Sequence, residues 1–320
     1  MNKKKSELDK NTIISLFNEK KYSKISKYSN LIIDNYESEI DICKLVIASE
    51  ISLKNYSKAE KILKKIIIKN NTYEFNYLYG NILKSQNKFQ DAIIAYKKAI
   101  SLNGKFSEAY NNLANTQKQI KEIENAINNY LQAIKADSSN LIAYFNLANL
   151  YRSEKKYDKA IINYKKVLEL NPKFLEAINN IGTIELILGN FESGMDYFKK
   201  IIELEKFHSE AFFNYVSSKK IAHNDEIYLK LKSYIEEEQY AESKNYKMYF
   251  SLSKSYFDLE KYENGFKYLK LAKNLNLEDV ESSFRKQIKD FRKIKKYFFN
   301  SKKSSFVLND FKSIPIFILG

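Results

Sequence analysis

Four consecutive segments of this chain share one residue pattern at a spacing of 34 residues. They begin at Tyr73, Ser107, Leu141 and Leu175. Aligned in columns, the segments hold a small residue at columns 8 and 20 and an aromatic residue at column 24. These positions are Gly80, Ala114, Ala148 and Gly182; Ala92, Ala126, Ala160 and Gly194; and Tyr96, Tyr130, Tyr164 and Phe198. A fixed period of this length is the signature of a repeat architecture.

The columns predict two helices in each segment. Columns 4, 7, 8 and 11 fall on one face of a first helix, and columns 20, 24 and 27 fall on one face of a second. Small residues at columns 8 and 20 let the two backbones approach closely, and the aromatic side chain at column 24 fills the space between them. With only seven glycines and two prolines, the chain is not expected to be all-β. Each segment should be a helical hairpin that stacks on its neighbours.

This pattern resembles the tetratricopeptide repeat, and the resemblance covers most of the chain. Further units are expected at 6–39, 40–72 and 246–279, with a degenerate unit at 209–245 that carries a three-residue insertion. The resemblance implies an all-α fold, a tetratricopeptide-repeat solenoid of about eight helical hairpins in a right-handed superhelix. The array is predicted to span 6–279, with a disordered tail at 1–5 and a basic connector or capping helix at 280–303.

Two other columns predict a binding surface. Columns 6 and 9 lie opposite the buried face of the first helix, so they should line the inner groove of a solenoid. Their asparagines are Asn81, Asn112, Asn115, Asn146, Asn149, Asn180 and Asn214. Because an asparagine side chain both donates and accepts hydrogen bonds, a ladder of them can hold the backbone of an extended peptide. The arrangement resembles the asparagine ladder in the repeat superhelix of O-linked sugar transferases, which implies peptide binding. The alternative is a solvated helix face.

The neighbouring columns give this groove mixed charge. Column 2 carries Glu74, Glu108, Glu176 and Glu210; column 5 carries Tyr77, Asn111, Phe145, Asn179 and Phe213; and column 12 carries Lys84, Lys118 and Arg152. Some repeat domains of this type clamp a C-terminal carboxylate with lysine at column 5. These five column-5 positions hold no lysine, so binding of chaperone tails in that manner is not expected.

The composition argues against several classes of partner. The net charge is +15, but arginine occurs only at positions 152, 285 and 292. Nucleic-acid binders usually concentrate arginine on one face, so no nucleic-acid partner is expected. No run approaches the roughly 18 apolar residues of a membrane span, so no membrane role is expected. Cys43 is the only cysteine and falls at a buried column; it is predicted to be a packing residue in a reducing, cytoplasmic setting.

Motifs for catalysis or metal binding are missing from the sequence. His208 and His223 are the only histidines, and neither has a Cys or His neighbour at metal-ligand spacing, so no metal site is predicted. No Gly-rich phosphate loop, serine-hydrolase motif or zinc-protease motif occurs inside the chain. No catalytic residue and no cofactor are therefore expected in the chain as given.

The last residues have a different character. Ile314 to Leu319 form a short apolar run after the linker-like residues 304–313, and Gly320 follows. Such a run is typical of a strand buried in a parallel sheet. Residues 304–320 are therefore predicted to be a linker and the first strand of a truncated α/β domain, a short strand-like tail on the helical array.

This run resembles the opening strand of nucleotide-dependent sulfotransferases. The resemblance implies that a phosphosulfate loop begins at Gly320 and that the complete parent protein uses 3′-phosphoadenylyl sulfate, although the Arg, Ser and Thr of that loop are missing. Another phosphate-loop enzyme and an incidental apolar terminus are the alternatives. The chain is thus expected to bind a protein or peptide as the N-terminal part of a sulfotransferase. The competing hypothesis is a stand-alone adaptor or scaffold with no enzymatic domain.

Overall fold

The computed structural model describes residues 9–36, 38–236 and 245–276, and every regular element in these ranges is a helix. In chain order the helices are α1 (Lys10–Asn18), α2 (Tyr22–Lys27), α3 (Ser29–Asn35), α4 (Ile40–Ser52), α5 (Tyr56–Lys69), α6 (Tyr73–Ser85), α7 (Phe89–Leu102), α8 (Ser107–Gln119), α9 (Ile123–Ala136), α10 (Leu141–Ser153), α11 (Tyr157–Leu170), α12 (Leu175–Ile187), α13 (Phe191–Leu204), α14 (Ser209–Ser218), α15 (Glu226–Glu236), α16 (Tyr246–Asp258) and α17 (Tyr262–Leu275). The predicted all-α solenoid of stacked hairpins is confirmed for this part of the chain. Two compact units divide after Leu170, with α1 to α11 in unit 1 and α12 to α17 in unit 2.

The regular hairpins of unit 1 are α6/α7, α8/α9 and α10/α11. In each, a first helix of 13 residues is followed by a second helix of 14. The turn between them contains one residue with left-handed backbone: Asn87, Lys121 and Lys155, with φ of 60°, 64° and 57°. A left-handed residue at this point ends the first helix and lets the chain reverse within three residues.

Small residues bring the paired helices together as the sequence predicts. Ala114 and Ala126 are fully buried between α8 and α9, and the ring of Tyr130 is fully buried beside them. The contact in hairpin α6/α7 is closer still, because a Cβ at Gly80 would lie only 2.5 Å from Cε1 of Tyr96. Glycine is therefore the residue that this approach allows.

The N-terminal part of unit 1 departs from the regular hairpin. Its second helical segment is divided at Tyr28, whose φ of −113° and ψ of 13° separate α2 from α3. Ile25 and Ile32 from these short helices still enter the same apolar core as Cys43. Cys43 is fully buried, as expected for a packing residue, and its Sγ donates to the backbone oxygen of Tyr36 at 3.4 Å.

The buried carboxylate of Glu50 links the N-terminal helices α2 and α4 to α5. Glu50 is 0 % exposed, lies 2.7 Å from Lys58 Nζ, and accepts hydrogen bonds at 3.0 Å from Ser26 and Asn55. Burial alone would raise the pKa of Glu50, but the hydrogen bonds from Lys58, Asn55 and Ser26 outweigh it and hold the pKa below its usual value. The charge is therefore kept and links α2, α4 and α5.

In unit 2 the connection between α14 and α15 is longer than the turns of the regular hairpins, because α14 already ends at Ser218 and α15 begins at Glu226. Ile221 in this connection is 2 % exposed, and its N–H donates to Asp258 on α16 at 2.9 Å. Lys254, also on α16, pairs with Asp258 and donates to the backbone oxygen of Lys219 at 2.6 Å. Lys219 in turn lies 2.7 Å from buried Asp225. These contacts fix the connection to the following hairpin.

First helices lie on the inner side of the stack in both units. In unit 1, α6 contacts α8 and α8 contacts α10; in unit 2, α12 contacts α14 and α14 contacts α16. Second helices pack mainly on their own partner and on the first helix that follows. Each first helix packs on second helices with one face. The side chains on its opposite face therefore form the inner surface of each unit.

Several predicted segments lie outside the described residues. These are the tail at 1–5, the basic connector at 280–303 and the linker and strand at 304–320, which include Gly320. Within the described ranges, none of the helices combines the length and the apolar character needed to cross a membrane.

Candidate peptide-binding surface

The asparagines of column 9 join the two helices of each regular hairpin in unit 1. Each accepts a hydrogen bond at its Oδ1 from the column-24 tyrosine of the same hairpin: Asn81 from Tyr96 at 2.8 Å, Asn115 from Tyr130 at 2.7 Å, and Asn149 from Tyr164 at 2.6 Å. The sequence predicts these tyrosines only as space-filling residues. Their hydroxyl groups also fix the orientation of the predicted ligand-binding amides.

Buried tyrosine hydroxyls are reliable donors here. Burial raises the pKa of Tyr96 and of Tyr130 well above the ordinary value, so both hydroxyls stay protonated at any physiological pH. Because each hydroxyl holds an amide oxygen, the Nδ2 group of Asn81 or Asn115 points away from the core. Among the described residues, no protein group accepts from either Nδ2. These two half-buried amides therefore present donors to the inner surface.

The asparagines of column 6 connect one hairpin to the preceding hairpin. Asn112 Nδ2 donates to Asn81 Oδ1 at 2.9 Å and to the hydroxyl of Tyr77 at 3.0 Å, which links α8 to α6. Asn146 Nδ2 donates to Asn111 Oδ1 at 3.0 Å, which links α10 to α8. The predicted ladder in unit 1 is thus a connected hydrogen-bond network between neighbouring first helices. Its amides are held in place by the protein itself.

Unit 2 repeats part of this network. Asn214 Nδ2 donates to Asn179 Oδ1 at 3.0 Å, which is the Asn146–Asn111 contact again, two repeats later along the chain. Asn180, which was predicted to face a ligand, is 9 % exposed and is the most buried of the seven predicted asparagines. Thr183 occupies column 9 and donates to the backbone oxygen of Asn179 at 2.8 Å. The inner surface of unit 2 therefore offers fewer side-chain amides than that of unit 1.

Asn111 and Asn179 are members of the network that sequence reasoning did not assign. Both stand at column 5, where other repeats carry an aromatic residue. Each accepts from the column-6 asparagine of the next repeat. The alternation of asparagine with aromatic residues along column 5 is the sequence feature that could have indicated their role.

Aromatic rings lie beside the amides on the same surface. Tyr77 packs on Tyr96 with ring centroids 6.0 Å apart, and Phe145 packs on Tyr164 at 5.9 Å. Tyr77 and Phe145 are both half-buried, so part of each ring remains accessible. The inner surface of unit 1 therefore alternates flat apolar contacts with hydrogen-bonding groups.

One of the two histidines, His208, has a structural role in the described part of the chain. His208 caps α14, because its Nδ1 accepts from the N–H of Ala211 at 3.1 Å. No group of three or more His, Cys, Asp or Glu residues in the described part of the chain is placed to hold a metal ion. The chemistry of this surface is hydrogen bonding and packing.

Comparison with protein-family models gives one consistent result. Models described as tetratricopeptide repeat match residues 107–140, 142–174, 175–208 and 246–279, and a model described as TPR repeat matches 80–121. Together the matches cover just over half of the chain and include six of the seven predicted ladder asparagines; Asn214 lies between the matched ranges. None of the curated proteins compared with the chain matches it significantly.

Solved structures resemble the chain in fold. The C-terminal part of a TPR repeat-containing protein from Cytophaga hutchinsonii covers 85 % of this chain and 97 % of its own, at a TM-score of 0.56 and 15 % identity. A MamA protein matches 52 % of this chain and 91 % of its own at 28 % identity and a TM-score of 0.47. YrrB, described as a TPR protein with an unusual peptide-binding site, matches 57 % of this chain and 93 % of its own at 23 % identity and a TM-score of 0.45.

Proposed function

Because the chain belongs to the tetratricopeptide repeat family, a family of protein-interaction modules, we propose that it binds an extended peptide along the inner surface of unit 1. The observation that carries this proposal is the fixed orientation of the ladder amides. Tyr96 and Tyr130 hold the oxygens of Asn81 and Asn115, so that the two Nδ2 groups remain as donors toward a ligand. A peptide backbone carries the carbonyl acceptors that these donors need.

Preorganisation makes such a surface suitable for binding. A free asparagine side chain loses rotamer entropy when a ligand orders it, but these side chains are already ordered by the network. Asn146 supplies the complementary group, because its Nδ2 is engaged with Asn111 and its Oδ1 can accept from a peptide N–H. Each hydrogen bond contributes about 0.5–1.5 kcal/mol, so several of them support an affinity on the order of micromolar.

The aromatic residues extend the contact beyond the backbone. Tyr77 and Phe145 each expose part of a ring beside the amides. An extended peptide alternates its side chains between two sides, so apolar side chains can pack on these rings while the backbone stays on the ladder. Backbone hydrogen bonds then give affinity with little dependence on sequence, and the rings add selectivity.

A peptide-selection experiment tests the proposal. The purified protein would be screened against a display library of short random peptides, and the affinity of a selected peptide would be measured by calorimetry. The double variant Asn115→Ala/Asn146→Ala should weaken binding by about tenfold or more, because two oriented amides are lost. The control is Asn128→Ala/Asn163→Ala, which removes two asparagines from the second helices α9 and α11. Unchanged affinity in the ladder variant, with helicity retained, would reject the proposal.

The origin of the chain in a sulfotransferase is a second proposal, supported only by the apolar run at 314–319 and Gly320. The family matches and the described residues do not reach this segment. A reading frame that continued from Gly320 into the Arg, Ser and Thr of a phosphosulfate loop would support this origin and the use of 3′-phosphoadenylyl sulfate. A stop codon would favour the stand-alone adaptor. A cytoplasmic location is likewise proposed from the single Cys43, and cell fractionation would test it.

A further inference from the structure

A row of cations borders the asparagine ladder of unit 1. Lys84, Lys118 and Arg152 occupy the last turn of α6, α8 and α10, the three first helices whose inner face carries the ladder. Each follows a column-9 asparagine by three residues and therefore lies on the same helix face, one turn further on. All three side chains are half-buried.

Among the described residues, little negative charge balances the two lysines of this row. Neither Lys84 nor Lys118 forms an ion pair with any residue in the described ranges. The acidic residues on these helices are Glu74 and Glu108 in the first turns of α6 and α8, and α10 has none. Ten residues of helix separate each glutamate from the lysine on its helix, a distance of about 15 Å. That distance exceeds the Debye length at physiological salt, so these glutamates do not neutralise the lysines.

Lys84 and Lys118 carry like charges at equivalent positions of neighbouring first helices, and like charges repel each other. The pKa of Lys84 is lowered, first by burial and second by the positive charge of Lys118 in the next hairpin. A helix dipole favours one cation at the C-terminal end of a helix. It does not account for a half-buried cation beside a second cation on the adjacent helix. An anion bound across the row would relieve both the burial and the repulsion.

We propose that the inner surface of unit 1 binds a peptide rich in Asp or Glu, with its carboxylates on the cation row and its backbone on the asparagine ladder. This inference rests on the proposed peptide-binding function and names the class of peptide. Ladder and row run in parallel through the same three hairpins, so one extended peptide can contact both. The row is short and the ladder amides match a peptide backbone, which favours an acidic peptide over a nucleic acid.

Matched peptides test this inference. A fluorescein-labelled peptide that contains several glutamates would be compared with the same peptide in which glutamine replaces each glutamate, by fluorescence anisotropy at low and at physiological salt. The glutamate peptide should bind about tenfold more tightly, and the preference should shrink as salt rises. The variant Lys84→Gln/Lys118→Gln/Arg152→Gln should abolish the preference and retain binding of the glutamine peptide. The control Lys97→Gln/Lys135→Gln/Lys165→Gln removes the same charge from exposed positions on α7, α9 and α11 and should keep the preference.

The outcomes separate the two proposals. Equal binding of both peptides to the native protein, or loss of the preference in the control variant as well, would overturn the acidic-peptide inference and leave the peptide-binding function standing. Tighter binding of an oligouridylate of matched charge than of the glutamate peptide would also overturn it. Failure of either peptide and of any library peptide to bind would contradict the proposed function itself. Because Lys84 is destabilised by burial and by Lys118, its replacement should not unfold the protein, and circular dichroism would confirm this.

Discussion

The hydroxyl of Tyr130 donates to Oδ1 of Asn115 at 2.7 Å and thereby joins the two helices of hairpin α8/α9. Hairpins α6/α7 and α10/α11 contain the same pair. In hairpin α12/α13 both members differ, with Phe198 in place of the tyrosine and Thr183 in place of the asparagine. Tyrosine and asparagine thus occur together or not at all in these four hairpins. Their contact acts as a unit that holds the hairpin and orients the inner-surface amide.

A double-mutant cycle should detect this coupling. Tyr130→Phe and Asn115→Thr should each destabilise the protein by about 1 kcal/mol, because each leaves a partner without its hydrogen bond. The double variant carries the Phe and Thr of hairpin α12/α13 and should be more stable than the sum of the single changes by about 0.5–1.5 kcal/mol. Urea unfolding followed by circular dichroism measures all four proteins. Strict additivity would show that the two residues act independently.

Substitutions at the left-handed turn residues should change the stability of the protein, and the sign depends on whether glycine is removed or introduced. Gly189 has a φ of +86°, and a Cβ there would meet no atom within 4 Å, so Gly189→Ala tests backbone strain alone. This change should destabilise the protein by about 1–2 kcal/mol. Lys155 holds the equivalent left-handed position at φ 57°, so Lys155→Gly should stabilise it by about 0.5–1 kcal/mol once the entropy of glycine is included. Thermal melts would check both, and a loss of stability in Lys155→Gly would contradict the account.

Close packing at Gly80 predicts a third effect. A methyl group there would lie 2.5 Å from Cε1 of Tyr96 and must displace that buried ring, so Gly80→Ala should cost about 1–3 kcal/mol. Gly104→Ala is the matched control, because its Cβ would meet only the backbone oxygen of Ile100 at 4.0 Å. The control should change the free energy of unfolding by no more than about 0.5 kcal/mol. Equal effects at the two sites would mean that the ring of Tyr96 does not limit the approach of α6 and α7.

Glu60 makes stability depend on pH. Hydrogen bonds from Lys64 on the same helix and from Lys88 at the start of α7, each at 2.8 Å from the carboxylate, lower the pKa of Glu60 from 4.5 to about 2. Because the folded-state pKa lies below the unfolded-state value, the contribution is fully present above about pH 5 and is lost as the pH falls toward 2. Glu60→Gln should therefore destabilise the protein by about 1–2 kcal/mol at neutral pH, with a difference from the native protein that vanishes at low pH.

Urea titrations at a series of pH values would follow this difference. Glu154→Gln, which removes an exposed carboxylate after α10, is the control and should shift the midpoint little at any pH. A difference between native protein and Glu60→Gln that stayed constant from neutral to acidic pH would show that the ion pairs do not stabilise unit 1.

The sequence predicts the fold well where the repeat is regular. The residues at columns 8, 20 and 24 predict the packing between the two helices of a hairpin, because side chains at these positions meet whenever the helices pair. The division of the second helical segment at Tyr28 has no comparable signal, because Tyr28 breaks neither the apolar pattern nor any rule for helix ends. The polar contacts that fix the connection between α14 and α15 join Ile221 to Asp258, 37 positions away. No local pattern reports a contact of that separation.

For the candidate surface, the sequence predicts which residues lie on it but not which hydrogen bonds they make. At 3.6 residues per turn, Asn115 and Asn146 fall opposite the buried columns of their helices. The helical period alone therefore predicts that they lie on the inner side. That Asn115 accepts from Tyr130, and that Asn146 donates to Asn111, depends on how far neighbouring hairpins approach. Asn180 shows the same limit: its column is that of Asn112 and Asn146, but Asn180 is buried.

The central claim is that the asparagine side chains of unit 1 contact a bound peptide, and their NH₂ resonances test it most directly. Isotope-labelled protein would be titrated with a peptide selected from the library, and the side-chain amide signals would be assigned through single Asn→Asp variants. The account predicts that the signals of Asn115 and Asn146 shift on binding while those of Asn128 and Asn163 on the second helices stay in place. Shifts at Asn128 and Asn163, with Asn115 and Asn146 unchanged at saturating peptide, would contradict it.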